Sequence, residues 1–132
     1  MTALATSETT TAADRLRTVL RADALVTGGV GLLALLGPTS PYGDTAGWLV
    51  RAVGAVLLVV AAELLIASRW DGARLRLAGT VFGELALAWV VATVAVLALV
   101  DLPTSGREIL AVVGLATLAF GVTELRLARR IS

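Results

Sequence analysis

The sequence predicts an all-α fold: a polytopic membrane protein folded as an antiparallel four-helix transmembrane bundle. Hydrophobic residues make up 58% of the 132 residues, and the mean hydropathy is +0.90, whereas soluble domains are roughly 45–50% apolar. The apolar residues also fall into four blocks, each close to the roughly 20 residues that span a bilayer. Short connections separate the blocks, so consecutive helices should be antiparallel neighbours.

The four blocks set the domain organisation. A single transmembrane domain is predicted over residues 15–132. A disordered cytoplasmic tail is predicted over residues 1–14, because "MTALATSETTTAA" is polar and Thr-rich. This segment lacks the basic start of a cleavable signal peptide. The predicted helices cover about residues 17–37, 46–68, 75–100 and 108–128.

Specific residues mark where the helices begin and end. Gly37 and Pro38 should end the first helix, because Pro cannot continue a helix and Gly favours its C-terminal cap. The second helix should run from near Trp48 to near Trp70, which places these rings about 33 Å apart, close to one hydrocarbon thickness. Both Trp are therefore predicted to be interface anchors. The third helix follows a tight turn at Gly72, and the fourth follows the connection "DLPTSG".

The distribution of arginine predicts the orientation. Nine of the 11 Arg flank the first helix, the connection between the second and third helices, and the end of the fourth helix. Only Arg51 and Arg107 lie near the other two connections. By the positive-inside rule, both termini and the 69–76 connection should be cytoplasmic, in a multi-pass protein of the cell membrane. The nine are Arg15, Arg17, Arg21, Arg69, Arg74, Arg76, Arg126, Arg129 and Arg130.

The residue types that are missing exclude several functions. The chain contains no His, Cys, Lys, Asn or Gln, so it lacks an imidazole base, a thiolate, a Schiff-base amine and the usual zinc ligands. We therefore expect no enzyme, no catalytic residue and no cofactor. A carboxylate-only site for Mg²⁺ or Ca²⁺ is a minor alternative to having no metal. The net charge of +1 provides no overall field for nucleic acid.

Each predicted span carries one acidic residue beyond its outermost turn: Asp23, Glu63, Glu84 and Glu124. All four are candidates for a polar interior or for a proton or ion site. Glu84 lies about 15 Å beyond Arg74 along the helix, near the bilayer midplane, where a charge costs about 2.5–3.5 kcal/mol. We expect its side chain to face the bundle interior as a neutral acid, hydrogen-bonded to a neighbouring helix. The other three acids have a plainer interpretation as partners of arginine near the cytoplasmic rim.

Small residues predict where helices approach closely. Gly79 and Gly83 form a GxxxG element beside Glu84, and Thr27 and Gly31 form a related pair with the same spacing. Such pairs allow two helix backbones to approach. These residues should face another helix, either within the chain or in a homodimer.

Four segments resemble a group of small four-span membrane proteins common in actinobacteria. In that group an Asn precedes the "LAW" element, where this chain has Ala86, and a Gln stands at the position of Glu124. The resemblance implies four spans and a membrane location, and it covers about residues 16–130. The segments are "ADALVTG" (22–28), "RAVGAVLLVVAAE" (51–63), "LALAWVVAT" (85–93) and "AFGVTELRLARR" (119–130).

Two functional classes fit these features. The first is an interaction, accessory or structural protein that packs in the lipid bilayer with itself, as a homodimer, or with a membrane-protein partner. The alternative is a small proton- or cation-coupled transporter or channel that uses membrane-embedded Glu84. A water-accessible cavity reaching Glu84 would favour transport, and a tightly packed Glu84 would favour the structural role.

Overall fold

The computed structural model describes residues 2–43 and 47–131, and these residues form four α-helices and one short 3-10 turn, without any strand. All four helices are long and apolar enough to cross a membrane. The prediction of an all-α multi-pass membrane protein is therefore confirmed. The helices are α1 (Thr2–Leu36), α2 (Gly47–Ala67), α3 (Gly72–Leu99) and α4 (Thr104–Arg129), and the 3-10 turn is Ser40–Tyr42.

The first helix is longer than the sequence predicts. Because α1 begins at Thr2, the segment predicted to be a disordered tail belongs to the same helix as the first span. Residues 2–27 contain neither Gly nor Pro, so no residue in this stretch breaks the helix. The apolar part of α1 that is suited to cross a membrane begins at Thr10.

The four helices form two hairpins. Helix α1 packs along α2, and α3 packs along α4, whereas the hairpins meet mainly through α1 and α4. Helices α2 and α3 have little contact although a tight turn joins them, so the expectation that all consecutive helices are neighbours is wrong for this pair. The hairpins meet through α1 instead, which packs mainly against α4 and touches α3 where the Leu16 side chain lies over Gly79.

The buried core lies at one end of the bundle, which we call the terminal end: the N-terminal part of α1, the α2–α3 turn and the C-terminal part of α4. From α1 it takes residues spaced by four, which share one helix face. The Arg17 guanidinium joins α1 to the α2–α3 turn, because it donates to the Trp70 carbonyl at 3.2 Å and pairs with Asp71. The core consists of Ala12, Leu16, Leu20, Ala24, Leu64, Ala67, Leu75, Ala78, Leu127, Ala128 and Ile131.

The opposite end, which we call the loop end, carries the connections that follow α1 and α3. Arg51 donates to the carbonyl oxygens of Gly37 at 2.6 Å and Ala34 at 3.2 Å, and Arg107 donates to that of Leu97 at 2.8 Å. The last four carbonyls of a helix lack partners within the helix. The two arginines of the loop end therefore cap the C-termini of α1 and α3.

Each hairpin has one close approach between backbones. In the first, a methyl group built on Gly54 would lie 2.6 Å from the Leu35 nitrogen and 2.7 Å from the Gly31 oxygen. In the second, a methyl group on Gly83 would lie 2.6 Å from Leu125 Cγ and 3.0 Å from the Gly121 oxygen. Gly31, Gly79 and Gly83 are all buried, so the prediction that these glycines face another helix is confirmed within a single chain.

The two predicted interface anchors lie at opposite ends of α2. Trp48 is in its first turn and is 74% exposed. Trp70 follows its last turn, is half-buried against the core, and has the Arg74 guanidinium 4.6 Å from its ring centroid, a cation–π contact. These positions are compatible with anchoring at two membrane interfaces, which stays a prediction.

Candidate functional site

The structure places Glu84 on the outside of the bundle. Its side chain is exposed on α3, and that of Glu63 is exposed on α2, so the prediction of an inward-facing Glu84 is wrong for this chain. Gly83 occupies the inward position, and the next residue is rotated by about 100° around the helix axis. The expected hydrogen bond of Glu84 is also not formed among the described residues: Thr80 and Thr123 donate instead to carbonyls of their own helices, at 3.1 and 2.7 Å.

Glu124 is the acid that faces the interior. It is 0% exposed, and neither of its carboxyl oxygens has a hydrogen-bond partner in the part of the chain that the structure describes. It shares a face of α4 with Gly121, Leu127 and Ala128, which are also buried. Arg126 lies on the exposed side of the helix, and the predicted pairing of Glu124 with a rim arginine is not formed among the described residues.

Asp23 of α1 lies beside Glu124. It is half-buried, it accepts a hydrogen bond from the Thr27 hydroxyl at 2.8 Å, and its carboxyl interacts electrostatically with that of Glu124. Arg21, its predicted partner, is exposed and forms no ion pair with it among the described residues. The structure thus brings together Asp23, Thr27 and Glu124 at the contact between the two hairpins, and it separates them from Glu63 and Glu84.

An apolar crevice leads away from this carboxyl pair. It consists of two adjoining cavities between the hairpins. The inner cavity, beside Asp23, has a volume of about 240 Å³, and the outer cavity, at the loop end, has a volume of about 310 Å³. Leu57, Trp89 and Val113 belong to the walls of both cavities. Asp23 and Thr27 line the inner cavity, whereas Glu124 lies outside the lining. Asp23 is the one ionisable group among the described residues that line the inner cavity.

Tyr42 lines the outer cavity, at the loop end. It belongs to the 3-10 turn, outside the four helices, and burial raises the pKa of its phenol above the ordinary value of 10.0. The hydroxyl therefore stays neutral at physiological pH and keeps its ability to donate a hydrogen bond. Neither Tyr42 nor Trp89 could be identified from the sequence, because a single aromatic residue in an apolar chain is not distinctive.

The donor set fits a proton better than a metal ion. No group of three or more acidic residues that could hold a metal ion is present in residues 2–43 and 47–131. Ca²⁺ takes six to eight oxygen ligands and Mg²⁺ an octahedral set, whereas Asp23, Glu124 and Thr27 offer two carboxyls and one hydroxyl. Two adjacent carboxyls in an apolar site instead tend to share one proton, because ionising both would place two negative charges side by side away from water.

Fold and site together define an all-helical, multi-pass membrane protein built from two hairpins, with an acidic pair where the hairpins meet. No protein family, curated protein or solved structure matches the chain. The resemblance to small four-span actinobacterial proteins therefore stays a prediction that rests on the quoted segments.

Proposed function

We propose that this chain is a small integral membrane protein of the interaction or accessory type, which packs with a second copy or with another membrane protein through the outer face of α3. The observation that supports this most directly is the exposed Glu84. It lies about 18 Å from the start of α3, in a helix of 28 residues. An acid that faces lipid at such a depth is costly, and a neighbouring helix that offers a hydrogen bond lowers that cost.

The residues around Glu84 suit close contact with another helix. Ala88, Ala95 and Ala98 share its face of α3, with Val91 between them, and all four are exposed. Small residues allow helix backbones to approach within the bilayer. Polar groups across such an interface add roughly 0.6–2 kcal/mol each. An acid surrounded by small residues is therefore a reasonable centre for a helix–helix interface.

The test compares assembly of the wild type with that of Glu84→Ala. Both proteins are extracted with their native lipids, and mass and copurifying proteins are measured. We expect the wild type to be a dimer or to carry a membrane-protein partner, and Glu84→Ala to lose it. Glu63→Ala is the matched control, because Glu63 is also an exposed acid within a helix. A wild type that is monomeric and free of partners would refute the proposal.

A second candidate is proton- or cation-coupled transport, and the observation that favours it is the exposure of Asp23 to the inner cavity. In this version Asp23 takes the role that the sequence suggested for Glu84. Flux is measured in vesicles with a pH-sensitive dye. Asp23→Asn should abolish proton flux and Glu84→Gln should leave it intact; equal flux in the wild type and Asp23→Asn would reject the candidate.

We further propose a location in the cell membrane with both termini cytoplasmic. The support is the nine arginines of the terminal end, because the remaining two have a local role as caps of α1 and α3. Reporters fused after Ser132 or within residues 70–74 should read cytoplasmic, and those within 38–45 should read external. The opposite pattern would reverse the orientation. We propose no catalytic activity, cofactor or nucleic-acid partner, given the missing residue types.

A further inference from the structure

We propose that Asp23 and Glu124 form a proton-binding site that holds a single proton between the two hairpins. The inference is independent of both proposed functions, since a shared proton can stabilise the contact between two helices or take part in transport. It rests on the position of the two carboxyls, one on each hairpin, and on the absence of any other partner for Glu124 in the described residues.

The burial of Glu124 determines whether its carboxyl is protonated or ionised. A carboxylate without hydrogen bonds or a cation is strongly disfavoured away from water, so a fully buried group of this kind binds a proton instead. Protonated Glu124 has one O–H donor, and the Asp23 carboxyl beside it is the available acceptor. Asp23 already accepts from the Thr27 hydroxyl at 2.8 Å, and a carboxyl has the capacity to accept a second hydrogen bond. One proton is thus bound by Glu124 and shared with Asp23.

No cation replaces that proton in the part of the chain that the structure describes. The Arg17 guanidinium is engaged with Asp14, Asp71 and the Trp70 carbonyl. The other charged residues along the four helices near this level are exposed. They are Arg21 on α1, Glu63 on α2, Arg76 and Glu84 on α3, and Arg126 and Arg129 on α4, with Arg69 in the α2–α3 turn.

The site lies where loss of the proton would have the largest structural effect. Helices α1 and α4 form the main contact between the hairpins. The 3-10 turn makes a smaller contact with α4 at the loop end, and the crevice also lies between the hairpins. Two facing carboxylates would repel each other across that contact. The shared proton therefore holds the hairpins together, and its removal should let them separate.

Infrared spectroscopy of the protein in lipid vesicles detects the proton directly. The starting protein carries Glu63→Gln and Glu84→Gln, because the two exposed acids within the helices could add their own protonated bands. We expect one carbonyl-stretch band of a protonated carboxyl at neutral pH. Adding Glu124→Gln should remove it, because the amide has no carboxyl proton but can still donate a hydrogen bond to Asp23. Adding Asp23→Asn should keep the band but shift its frequency, because the acceptor changes.

A starting protein without a protonated carboxyl at neutral pH would overturn the proposal, and so would a band that survives Glu124→Gln. If Glu124→Gln does not fold, the frequency shift in Asp23→Asn tests the pair on its own: an unshifted band would mean that the two groups do not interact.

The structural consequence has a separate readout. Because the chain has no Cys, spin labels can be attached through Leu36→Cys and Leu99→Cys, at exposed positions of the loop end, one on each hairpin. The label distance should lengthen at alkaline pH in an otherwise wild-type chain and stay constant in Asp23→Asn. A distance that responds to pH equally in both proteins would show that the pair does not hold the hairpins together.

Discussion

The two ends of the bundle are built from similar apolar residues but pack differently. At the terminal end, Leu16, Leu20 and Leu75 are each 0% exposed, within a core to which all four helices contribute. At the loop end, residues such as Leu57 and Val113 line cavities between the hairpins. There, each hairpin is held internally, by the Gly31–Gly54 approach and by the Arg51 and Arg107 caps.

Residue size accounts for this difference. At the terminal end α3 presents Ala78 and Gly79, and the Leu16 side chain packs directly over the glycine. At the loop end the facing residues include the bulky Trp89 and Leu57, which line the cavities between the hairpins. The hairpins touch there where the Pro41 carbonyl lies against Gly106 of α4. Lipid tails are as apolar as leucine, so hydrophobicity alone does not draw membrane helices together. Close contact depends instead on small residues and on van der Waals packing.

The largest effect is expected for Gly54→Leu. Its side chain would collide with backbone atoms of Gly31 and Leu35, which cannot move without separating α1 from α2. We expect a loss of about 3 kcal/mol in the free energy of unfolding, measured by denaturation in mixed micelles. Gly29→Leu is the matched control, because no described residue of another helix lies within 4 Å of a methyl group at Gly29. Equal losses in the two variants would show that the crossing does not stabilise the hairpin.

A truncation at each end tests the packing difference directly. Leu20→Ala at the terminal end should cost about 2 kcal/mol, because a fully buried side chain leaves a cavity. Leu57→Ala should cost less than about 1 kcal/mol, because this residue already borders two cavities and loses fewer contacts. Equal costs in the same unfolding assay would mean that both ends are equally well packed.

Gly83→Leu tests the close approach in the second hairpin. The nearest atom to the added carbon is Leu125 Cγ, in a side chain that can change rotamer, although the Gly121 oxygen is also only 3.0 Å away. We therefore expect a loss of about 2 kcal/mol, smaller than for Gly54→Leu. An unchanged thermal midpoint in detergent would contradict the role of Gly83 in α3–α4 packing.

Glu124→Leu should weaken the contact between the hairpins. The substitution removes the carboxyl that we propose shares its proton with Asp23, and it leaves the Asp23 carboxyl beside an apolar side chain. A buried polar group that loses its partner costs free energy, and we expect a loss of about 1.5 kcal/mol in the free energy of unfolding. Glu124→Gln keeps a donor for Asp23 and should lose less. A gain in stability in Glu124→Leu would contradict a stabilising role of the pair.

The smallest effect is expected at the helix caps of the loop end. Arg51→Met keeps the apolar stem but removes two hydrogen bonds to the C-terminal carbonyls of α1, for a loss of about 1 kcal/mol. Arg126→Met is the control, because Arg126 is exposed at the other end and should change stability by less. Amide hydrogen exchange near Gly37 should increase in Arg51→Met alone.

The helices and most of their ends could be predicted from the amino-acid sequence. Long apolar blocks have one stable form in a membrane, because a helix satisfies all of its backbone hydrogen bonds internally. Gly37 and Pro38 follow the end of α1 as predicted, and Gly79 and Gly83 face other helices as the GxxxG spacing indicates. These features depend on local chemistry, so the order of residues is enough to predict them.

The rotation of each helix and the choice of its neighbours depend on tertiary packing and could not be predicted. In a soluble helix the polar face indicates the outside, but a membrane helix is apolar all round because both its lipid-facing and its buried sides are apolar. The spacing along the chain therefore could not tell that Glu124 is buried while Glu84 is exposed. Asp23 and Glu124 lie far apart in the sequence and meet only in the folded chain. Their contact depends on how small residues fit between the hairpins, and a hydropathy profile carries no information about that fit.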